Sequence, residues 1–227
     1  MILRASRRDK HISIYFPSEA FLNTGRFIVL DGPDGCGKST QAKMLEQALA
    51  EKYPEKEIIT TREPGGTAAG EEVRNTLLRH YPDGATLFSE TEVYLFFAAR
   101  AQLLREVIKP AIKEGKVIIC ERWASATLAY QGYAGDIPIE KIEETGRLAL
   151  DGIEPHLLII LDVEAGDGLD RMEGDADRIE AKSLEFHKKV REGFHKIAEQ
   201  YENAVLIEAG TIQETHKRLL QEVERVL

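Results

Sequence analysis

The chain has 227 residues, of which 43% are hydrophobic, and a formal net charge of -9 at pH 7. This length and composition suffice for one large domain with a buried core, and the acidic balance argues against a nucleic-acid partner, which would need a basic face. No apolar run approaches the roughly 18 residues of a membrane span. The basic N-terminal residues lack the apolar stretch of a secretory signal, and two cysteines make no disulfide framework. We therefore expect a cytoplasmic protein without a membrane or nucleic-acid partner.

The first 25 residues differ from the rest of the chain. Arg4, Arg7, Arg8 and Lys10 cluster there, and the apolar signal around HISIYF is weak. We predict that residues 1–25 form an extension or arm outside the main fold, with a nucleic-acid-binding arm as the alternative interpretation. Residues 26–227 are then expected to form a single domain.

From residue 27 onward, short apolar runs alternate with helical patterns. The runs that predict strands are FIVL at 27–30, EIIT at 57–60, VIIC at 117–120, LLIIL at 157–161 and AVLIE at 204–208. Continuous apolar runs are typical of parallel strands that are covered on both faces. Five such strands with helical crossovers predict an α/β fold, a doubly wound parallel sheet with helices on both faces. Its ligand site should lie at the carboxyl ends of the strands.

Two capping patterns predict where helices begin. Ser89 and Glu92 have the spacing of a capping box, which would open a helix that runs to residue 114 and bends at Pro110. Thr211 and Glu214 have the same spacing and should open the final helix.

The segment FIVLDGPDGCGKST, residues 27–40, carries the strongest functional signal. It matches the pattern G-x-x-x-x-G-K-[ST] of a phosphate-binding loop between a strand and a helix. Glycines let the backbone N–H groups point inward at a phosphate, and the helix that follows adds its N-terminal dipole. Lys38 would supply a charge for the β- and γ-phosphates, and the Ser39 hydroxyl can coordinate Mg²⁺. The residues expected at the nucleotide phosphates are Gly32, Asp34, Gly35, Cys36, Gly37, Lys38, Ser39 and Thr40.

Two further polar segments follow predicted strands and fall on the same edge of the sheet. In TREPGGT, residues 61–67, Arg62 can hold a phosphate bidentately, or it can be a solvated arginine on a surface turn. In CER, residues 120–122, Glu121 can hold a water on Mg²⁺ and Arg122 can bridge two phosphates, or the two can form a surface ion pair. Asp162 is a rival strand-end carboxylate, but no arginine follows it directly.

Two more segments carry candidate binding residues. Phe96 and Arg100 are four residues apart on a predicted helix, so a ring and a guanidinium could address one base together. Core packing for the ring and solvent for the arginine are the alternative. The polar stretch LDRMEGDADRIE, residues 169–180, could close over a nucleotide as a lid or be a plain surface loop. Its only cations are Arg171 and Arg178.

Together and in this order, these segments resemble the thymidylate kinase family, whose members phosphorylate dTMP to dTDP. The resemblance runs from about residue 27 to the end of the chain. It comprises the phosphate-binding loop, TREPGGT, FFAAR at 96–100, the Glu-Arg segment that ends in AYQG at 129–132, Leu-Asp-Val at 161–163 and Asp-Arg-Ile-Glu at 177–180. TREPGGT with AYQG at this spacing distinguishes the family from other nucleoside monophosphate kinases.

The resemblance implies a P-loop NTPase-type fold with a short lid at about residues 170–180, ATP as co-substrate, Mg²⁺ as cofactor and a homodimer. In the acceptor site it implies that Asp34 reads the 3′-hydroxyl of dTMP and that Tyr130 crowds the 2′ position. The other implied dTMP-binding residues are Arg62 and Arg122 at the phosphate, Phe96 stacked on thymine, Arg100 at the thymine carbonyl, and Gln131. Ser39 and Glu121 would serve the metal. The implied catalytic residues are Lys38, Arg62, Arg122, Arg171 and Arg178.

The chain departs from the family's usual pattern in its Glu-Arg segment. Glu121 stands where Asp is usual, Trp123 where Tyr or His is usual, and Ala126 where a serine is usual, with Ser125 one place early.

The lid and the phosphate-binding loop depart as well. Some relatives carry an arginine in the phosphate-binding loop, where this chain has Gly35, and relatives without it place catalytic arginines in the lid. This lid is short and acidic, so the transition-state arginine is undecided between Arg171 and Arg178. A kinase for another nucleotide and a weakly active nucleotide-binding scaffold are the alternative functions.

Overall fold

The computed structural model describes residues 25–172 and 174–227, so the predicted N-terminal extension lies outside the described residues except for Gly25. The strands are β1 Arg26–Asp31, β2 Ile58–Arg62, β3 Val117–Glu121, β4 Leu157–Asp162 and β5 Ala204–Glu208. They form one parallel sheet in the order β2-β3-β1-β4-β5. The predicted strands and the predicted α/β fold class are confirmed, with strand bounds that differ by one or two residues.

The helices are α1 Lys38–Lys52, α2 Ala68–Leu78, α3 Ser89–Leu103, α4 Lys109–Lys113, α5 Ala124–Thr127, α6 Ile139–Leu150, α7 Ala165–Asp170, α8 Leu184–Gln200 and α9 Ile212–Glu224. A short 3-10 turn spans Pro82–Gly84. Over the part of the chain that the structure describes, no helix has the length and apolar character needed to cross a membrane.

Alternate residues of β1 enter two separate halves of the core. Phe27 and Val29 pack with α3, α6 and α8 on one face, and Ile28 and Leu30 pack with α1 and α9 on the other. Side chains of a strand alternate between the two faces of its sheet, so a strand covered on both sides needs an unbroken apolar run. The edge strands β2 and β5 are less buried than the three central strands, because each has a neighbouring strand on one side only.

Two segments widen into π geometry. Leu104–Ile108 interrupts the helix predicted over residues 89–114, directly before α4, whose second residue is Pro110. Proline lacks the N–H that would continue the α-helical ladder, which explains an irregular turn at this place. The second π segment, Leu128–Tyr133, follows α5 and contains the AYQG motif. π turns are frequent at functional sites.

Of the two predicted capping boxes, the second is confirmed. Thr211 and Glu214 exchange the reciprocal side-chain to backbone bonds at the start of α9. The box at Ser89 is wrong, because Phe88 occupies the N-cap without a side-chain bond and Ser89 is the first residue of α3. Glu92 is buried and bonds to partners from elsewhere in the chain.

Candidate active site

The turn between β1 and α1 has the conformation that its glycines permit. Gly32, Gly35 and Gly37 have φ angles of 135°, 70° and 92°, which residues with a Cβ disfavour. The Lys38 ammonium donates to the carbonyl oxygens of Gly32 and Pro33 at 3.1 and 2.8 Å. The predicted loop thus has the strand, turn and helix that phosphate binding needs, with its cation folded over the turn.

The two predicted metal residues, Ser39 and Glu121, lie together. β1 and β3 are neighbours, so the end of β3 lies beside the phosphate-binding loop. Ser39 Oγ donates to Glu121 Oε2 at 2.6 Å. A hydroxyl and a carboxylate are oxygen donors of the kind Mg²⁺ prefers, so the pair fits that ion. Among the described residues no group of three or more His, Cys, Asp or Glu could hold a metal, so nucleotide phosphates and water would have to complete the shell.

Asp34, Tyr130 and the partly buried Arg122 form a polar cluster beside the loop. Arg122 follows β3 with a φ of 68° and donates to Asp34 Oδ1 and, at 3.3 Å, to the Tyr130 hydroxyl. Tyr130 in turn donates to Asp34 Oδ2 at 2.7 Å.

Charge decides the protonation of this cluster. Burial favours the neutral form of Asp34, but the charges of Arg122 and Lys38 outweigh it and hold the pKa of Asp34 below its usual range. Burial raises the pKa of the Tyr130 hydroxyl well above its usual value. The cluster therefore presents an ionised carboxylate, a guanidinium and a protonated phenol.

A cavity of about 90 Å³ opens next to this cluster. It brings together residues from the phosphate-binding loop, α2, α3, the π segment and the segment before α8. The lining residues are Asp34, Pro64, Arg74, Leu78, Phe96, Arg122, Ala126, Thr127, Tyr130, Gln131, Asp177, Ile179 and Glu180. Five residues predicted from the sequence to bind dTMP are among them, whereas Arg62 and Arg100 are not.

Arg100 lies directly behind the cavity wall and is 1% exposed. Its guanidinium donates to Glu63 at 2.5 Å, to Thr127 Oγ1 at 3.2 Å and to the Trp123 carbonyl at 3.0 Å. Burial outweighs the charge of Arg100 and raises the pKa of Glu63 to about 7. Thr127 therefore stands between this guanidinium and the cavity.

Arg62 lies at the rim instead of in the cavity. It ends the edge strand β2, and its exposed guanidinium donates to both carboxylate oxygens of Glu71 at 3.1 and 3.2 Å. Arg74, one turn from Gly70 on α2, lines the cavity and donates to the Pro64 carbonyl at 3.1 Å. Sequence reasoning missed Arg74, because nothing in its local pattern distinguishes it from a surface arginine.

The two lid arginines differ in their surroundings. Arg171 is exposed at the end of α7. Arg178 is buried. One of its nitrogens donates a hydrogen bond to Glu92 at 2.6 Å, and its other two donate to the Leu77 carbonyl at 2.8 and 3.0 Å. Arg178 therefore tethers the segment before α8 to α2 and α3.

Other buried polar residues escaped the sequence reasoning. Asp31 accepts hydrogen bonds from Ser125 Oγ at 2.6 Å and the Gly32 amide at 3.0 Å, which gives the displaced serine a partner. His187 is buried, donates through Nε2 to the Glu180 carbonyl at 3.1 Å, and places Nδ1 3.8 Å from Asp34. Their partners are distant in sequence, and no local motif signals the pairing.

The fold and this loop define a class. A phosphate-binding loop at the end of the central strand β1, with neighbours β3 and β4 reached in opposite directions, is the ligand position of a P-loop α/β nucleotide-binding protein.

Comparisons narrow the class to a family. The family model described as Thymidylate kinase matches residues 30–219. The thymidylate kinase of Clostridium novyi (strain NT) is 44% identical over 188 residues, which cover 81% of this chain and 90% of that protein. The thymidylate kinase of Geobacillus sp. (strain WCH70) is 41% identical over 187 residues, covering 81% of this chain and 87% of that protein.

A solved structure points to the same family. The crystal structure of thymidylate kinase from Ehrlichia chaffeensis superposes with a TM-score of 0.72 at 31% identity, covering 88% of this chain and 99% of that one. The chain belongs to the thymidylate kinase family. The resemblance drawn from the ordered motifs is confirmed, and so is the prediction of a phosphotransferase that uses thymidylate.

Proposed function

We propose that the chain transfers the γ-phosphoryl group of ATP to the phosphate of dTMP and so supplies dTTP synthesis. The observation that carries this proposal is the Asp34, Arg122 and Tyr130 cluster, which joins the phosphate-binding loop to the cavity beside Phe96. A donor phosphate on the loop and an acceptor nucleotide in the cavity would both lie within reach of Arg122. Placing two reactants side by side is the main task of such a site, because the acceptor phosphate is already a nucleophile.

The cavity wall supports an acceptor subsite with the roles that the family resemblance implies. Phe96 would stack on the base, Asp34 would accept from the sugar 3′-hydroxyl, and Tyr130 would crowd the 2′ position. Arg122 would neutralise charge on both phosphates, and Arg62 would bind the dTMP phosphate from the rim. Arg100 lies behind Thr127, so it would reach the base carbonyl through its two remaining N–H donors once Thr127 turns aside.

The donor subsite follows from the loop. Its backbone N–H groups from Gly32 to Thr40 would bind the ATP phosphates, and Lys38 would leave the loop carbonyls for the β- and γ-phosphates. Ser39 and Glu121 would hold Mg²⁺, which supplies charge neutralisation on the phosphates when bound. Of the two lid arginines, Arg171 is the one whose side chain is exposed, so we assign the transition-state contact to it and a tethering role to Arg178.

We also propose a homodimeric, cytoplasmic enzyme in which residues 26–227 form the kinase domain and about 170–180 the lid. Three large apolar side chains support the dimer because they are exposed on or beside α3 and α6, two helices that pack together: Phe88, Tyr94 on α3 and Leu148 on α6 are 75%, 65% and 84% exposed. Large exposed apolar surface is typical of protein contacts.

A coupled assay of ADP release tests the function. We expect ATP-dependent turnover with dTMP that exceeds turnover with dUMP, dCMP and AMP. Lys38→Ala should lower turnover at least about a hundredfold without unfolding the protein, because Lys38 neutralises charge on the transferring group. Higher turnover with another acceptor would reassign the substrate, and no turnover with any of them would favour a nucleotide-binding scaffold.

A further inference from the structure

The side-chain amide of Gln131 is held in one orientation. Gln131 is 1% exposed and lines the cavity with Phe96. Its Nε2 donates to Glu92 Oε2 at 2.8 Å, and its Oε1 is buried without a hydrogen-bond partner among the described residues. Buried polar atoms are normally bonded, so this unpartnered oxygen, on a side chain that lines the cavity, indicates a place for a donor.

Glu92 decides which end of the amide faces it. The Glu92 carboxylate is 1% exposed, and its second oxygen accepts from Arg178 at 2.6 Å, with Lys182 at 3.7 Å. A carboxylate held between two cations only accepts hydrogen bonds. The reverse amide orientation would place two acceptors together in a buried site, which is costly. Gln131 must therefore turn its donor toward Glu92 and keep its acceptor free.

Glu92 lies close to the residue on which the nucleotide base is expected to stack, so the orientation of the Gln131 amide bears on base recognition. Glu92 and Phe96 are four residues apart on α3, so they lie one above the other on the same helix face. Gln131 comes from the π segment and lies against Glu92 beside the same cavity. A base stacked on Phe96 would therefore present its polar edge toward the amide oxygen of Gln131.

We propose that Glu92 is a positioning residue for base specificity: it fixes Gln131 as a hydrogen-bond acceptor for the N3–H of a pyrimidine. This inference rests on the proposed function. Thymine and uracil carry a hydrogen on N3, whereas the N3 of cytosine is an acceptor and would face the Gln131 oxygen without a proton between them. Arg178 takes part in the same arrangement, because it donates a hydrogen bond to the other oxygen of Glu92. It thereby connects recognition of the base to the lid segment.

The test uses N3-methyl-dTMP, in which a methyl group replaces the hydrogen on N3 while the ring and both carbonyls stay. Steady-state kcat/KM is measured for dTMP and for this analogue. Wild type should prefer dTMP by about tenfold or more, since the analogue leaves a buried acceptor unpaired. In the Glu92→Gln variant the side chain that faces Gln131 can accept or donate a hydrogen bond, so the amide of Gln131 can adopt either orientation. The preference should then shrink to within about threefold, mainly through loss of dTMP activity.

Two variants separate positioning from stability. Asp162→Asn removes another buried carboxylate that is paired with an arginine, Arg191, outside the cavity wall. It should leave the preference for dTMP over the analogue as in wild type, even if it lowers the melting temperature. Gln131→Met should shrink the preference as Glu92→Gln does. If the Glu92→Gln variant does not fold, Glu92→Asp, which withdraws the carboxylate by one methylene group, should reduce the preference for dTMP over the analogue to the same extent.

The outcomes are distinct. A Glu92 variant that keeps the full wild-type preference overturns the inference, including the case in which Gln131→Met alone shrinks it. A wild-type enzyme that uses dTMP and the analogue equally well also overturns it, while the proposed function stands. Absence of dTMP turnover in wild type overturns the proposed function and this inference with it.

Discussion

At Tyr130 a single side chain has two separable tasks. Its hydroxyl donates to Asp34 at 2.7 Å, and its ring lines the acceptor cavity. Tyr130→Phe removes only the hydrogen bond, so we expect about a tenfold loss of kcat/KM for dTMP, from one buried acceptor left short of a donor. Tyr130→Ala also removes the ring and should relax the preference for deoxyribose over ribose.

Steady-state kinetics with dTMP and ribothymidine monophosphate on both variants measure the two tasks. Tyr201→Phe, which alters a tyrosine outside the cavity wall, is the control and should leave both parameters unchanged. If Tyr130→Phe relaxes the sugar preference as far as Tyr130→Ala does, the hydroxyl and not the ring selects the sugar.

Glu63 makes stability depend on pH. Burial raises its pKa to about 7 from the usual value of 4.5. Between these two pH values the folded protein keeps a proton that the unfolded chain has released, so the free energy of unfolding should fall as the pH rises through this window. The fall is on the order of 3 kcal/mol at most, at 1.36 kcal/mol per pKa unit. Urea unfolding of wild type and Glu63→Gln at pH 4.5, 6 and 7.5 measures it.

The amide of Glu63→Gln does not titrate but still offers Arg100 an acceptor. Its unfolding free energy should therefore change less over the window than that of wild type, and the difference between the two curves isolates Glu63 from the other titrating groups. Parallel curves for the two proteins would show that Glu63 remains ionised beside Arg100 throughout.

Among the elements, the phosphate-binding loop and α7 are packed backbone to backbone. A Cβ added at Gly35 would lie 1.8 Å from the Gly168 carbonyl oxygen, and one added at Gly168 would lie 2.4 Å from the Asp34 carbonyl oxygen. The arginine that some relatives carry at the position of Gly35 therefore has no room here unless α7 moves. This contact gives a physical reason for the departure noted in the sequence.

Gly35→Ala should accordingly destabilise the protein and weaken ATP binding. Its φ of 70° alone costs a residue with a Cβ about 1–3 kcal/mol, and the contact with Gly168 adds to that. Thermal unfolding and ATP titration measure both effects. Gly166→Ala, on α7 like Gly168 but with nothing within 4 Å of the added Cβ, is the matched control and should change neither the stability nor the binding of ATP. Equal behaviour of the two variants would contradict the tight packing of loop against α7.

The elements were predictable where their signals are local. Unbroken apolar runs predicted all five strands, and Thr211 with Glu214 predicted the start of α9, because both signals lie within a few residues. The same kind of signal failed at Glu92, whose partner Arg178 is 86 residues away. Spacing along a helix tells which residues share a face, but not which distant side chain will bury against them.

The same limit applies to the candidate site. The ends of the predicted strands placed Asp34 and Arg122 at one edge of the sheet, the family resemblance added Tyr130, and the structure joins the three by hydrogen bonds. Motif spacing could not show that Arg100 is enclosed behind Thr127 or that Arg74 lines the cavity, since both depend on how α2 and α3 pack. Long-range packing decides these positions.

At the scale of the whole molecule, the proposed homodimer depends on the apolar surface near α3 and α6. These helices pack closely, because a Cβ at Gly146 of α6 would lie 2.7 Å from the Phe97 ring of α3. On the outer side, Tyr94 and Leu148 leave apolar surface in water, which costs about 25 cal/mol per Å² and is relieved when a second copy covers it. Leu148→Glu would place a charge in that contact and should convert the dimer to monomer.

Light scattering after size exclusion at micromolar concentration measures the change, from twice the chain mass of 25.5 kDa to that mass itself. Each chain has a net charge of -9, so repulsion between copies should make the wild-type dimer tighter at higher salt, where charges are screened. Leu184→Glu replaces an exposed leucine at the start of α8 and should leave the mass unchanged. A monomeric wild type, or a dimer that tolerates Leu148→Glu but not Leu184→Glu, would place the contact elsewhere than on α3 and α6.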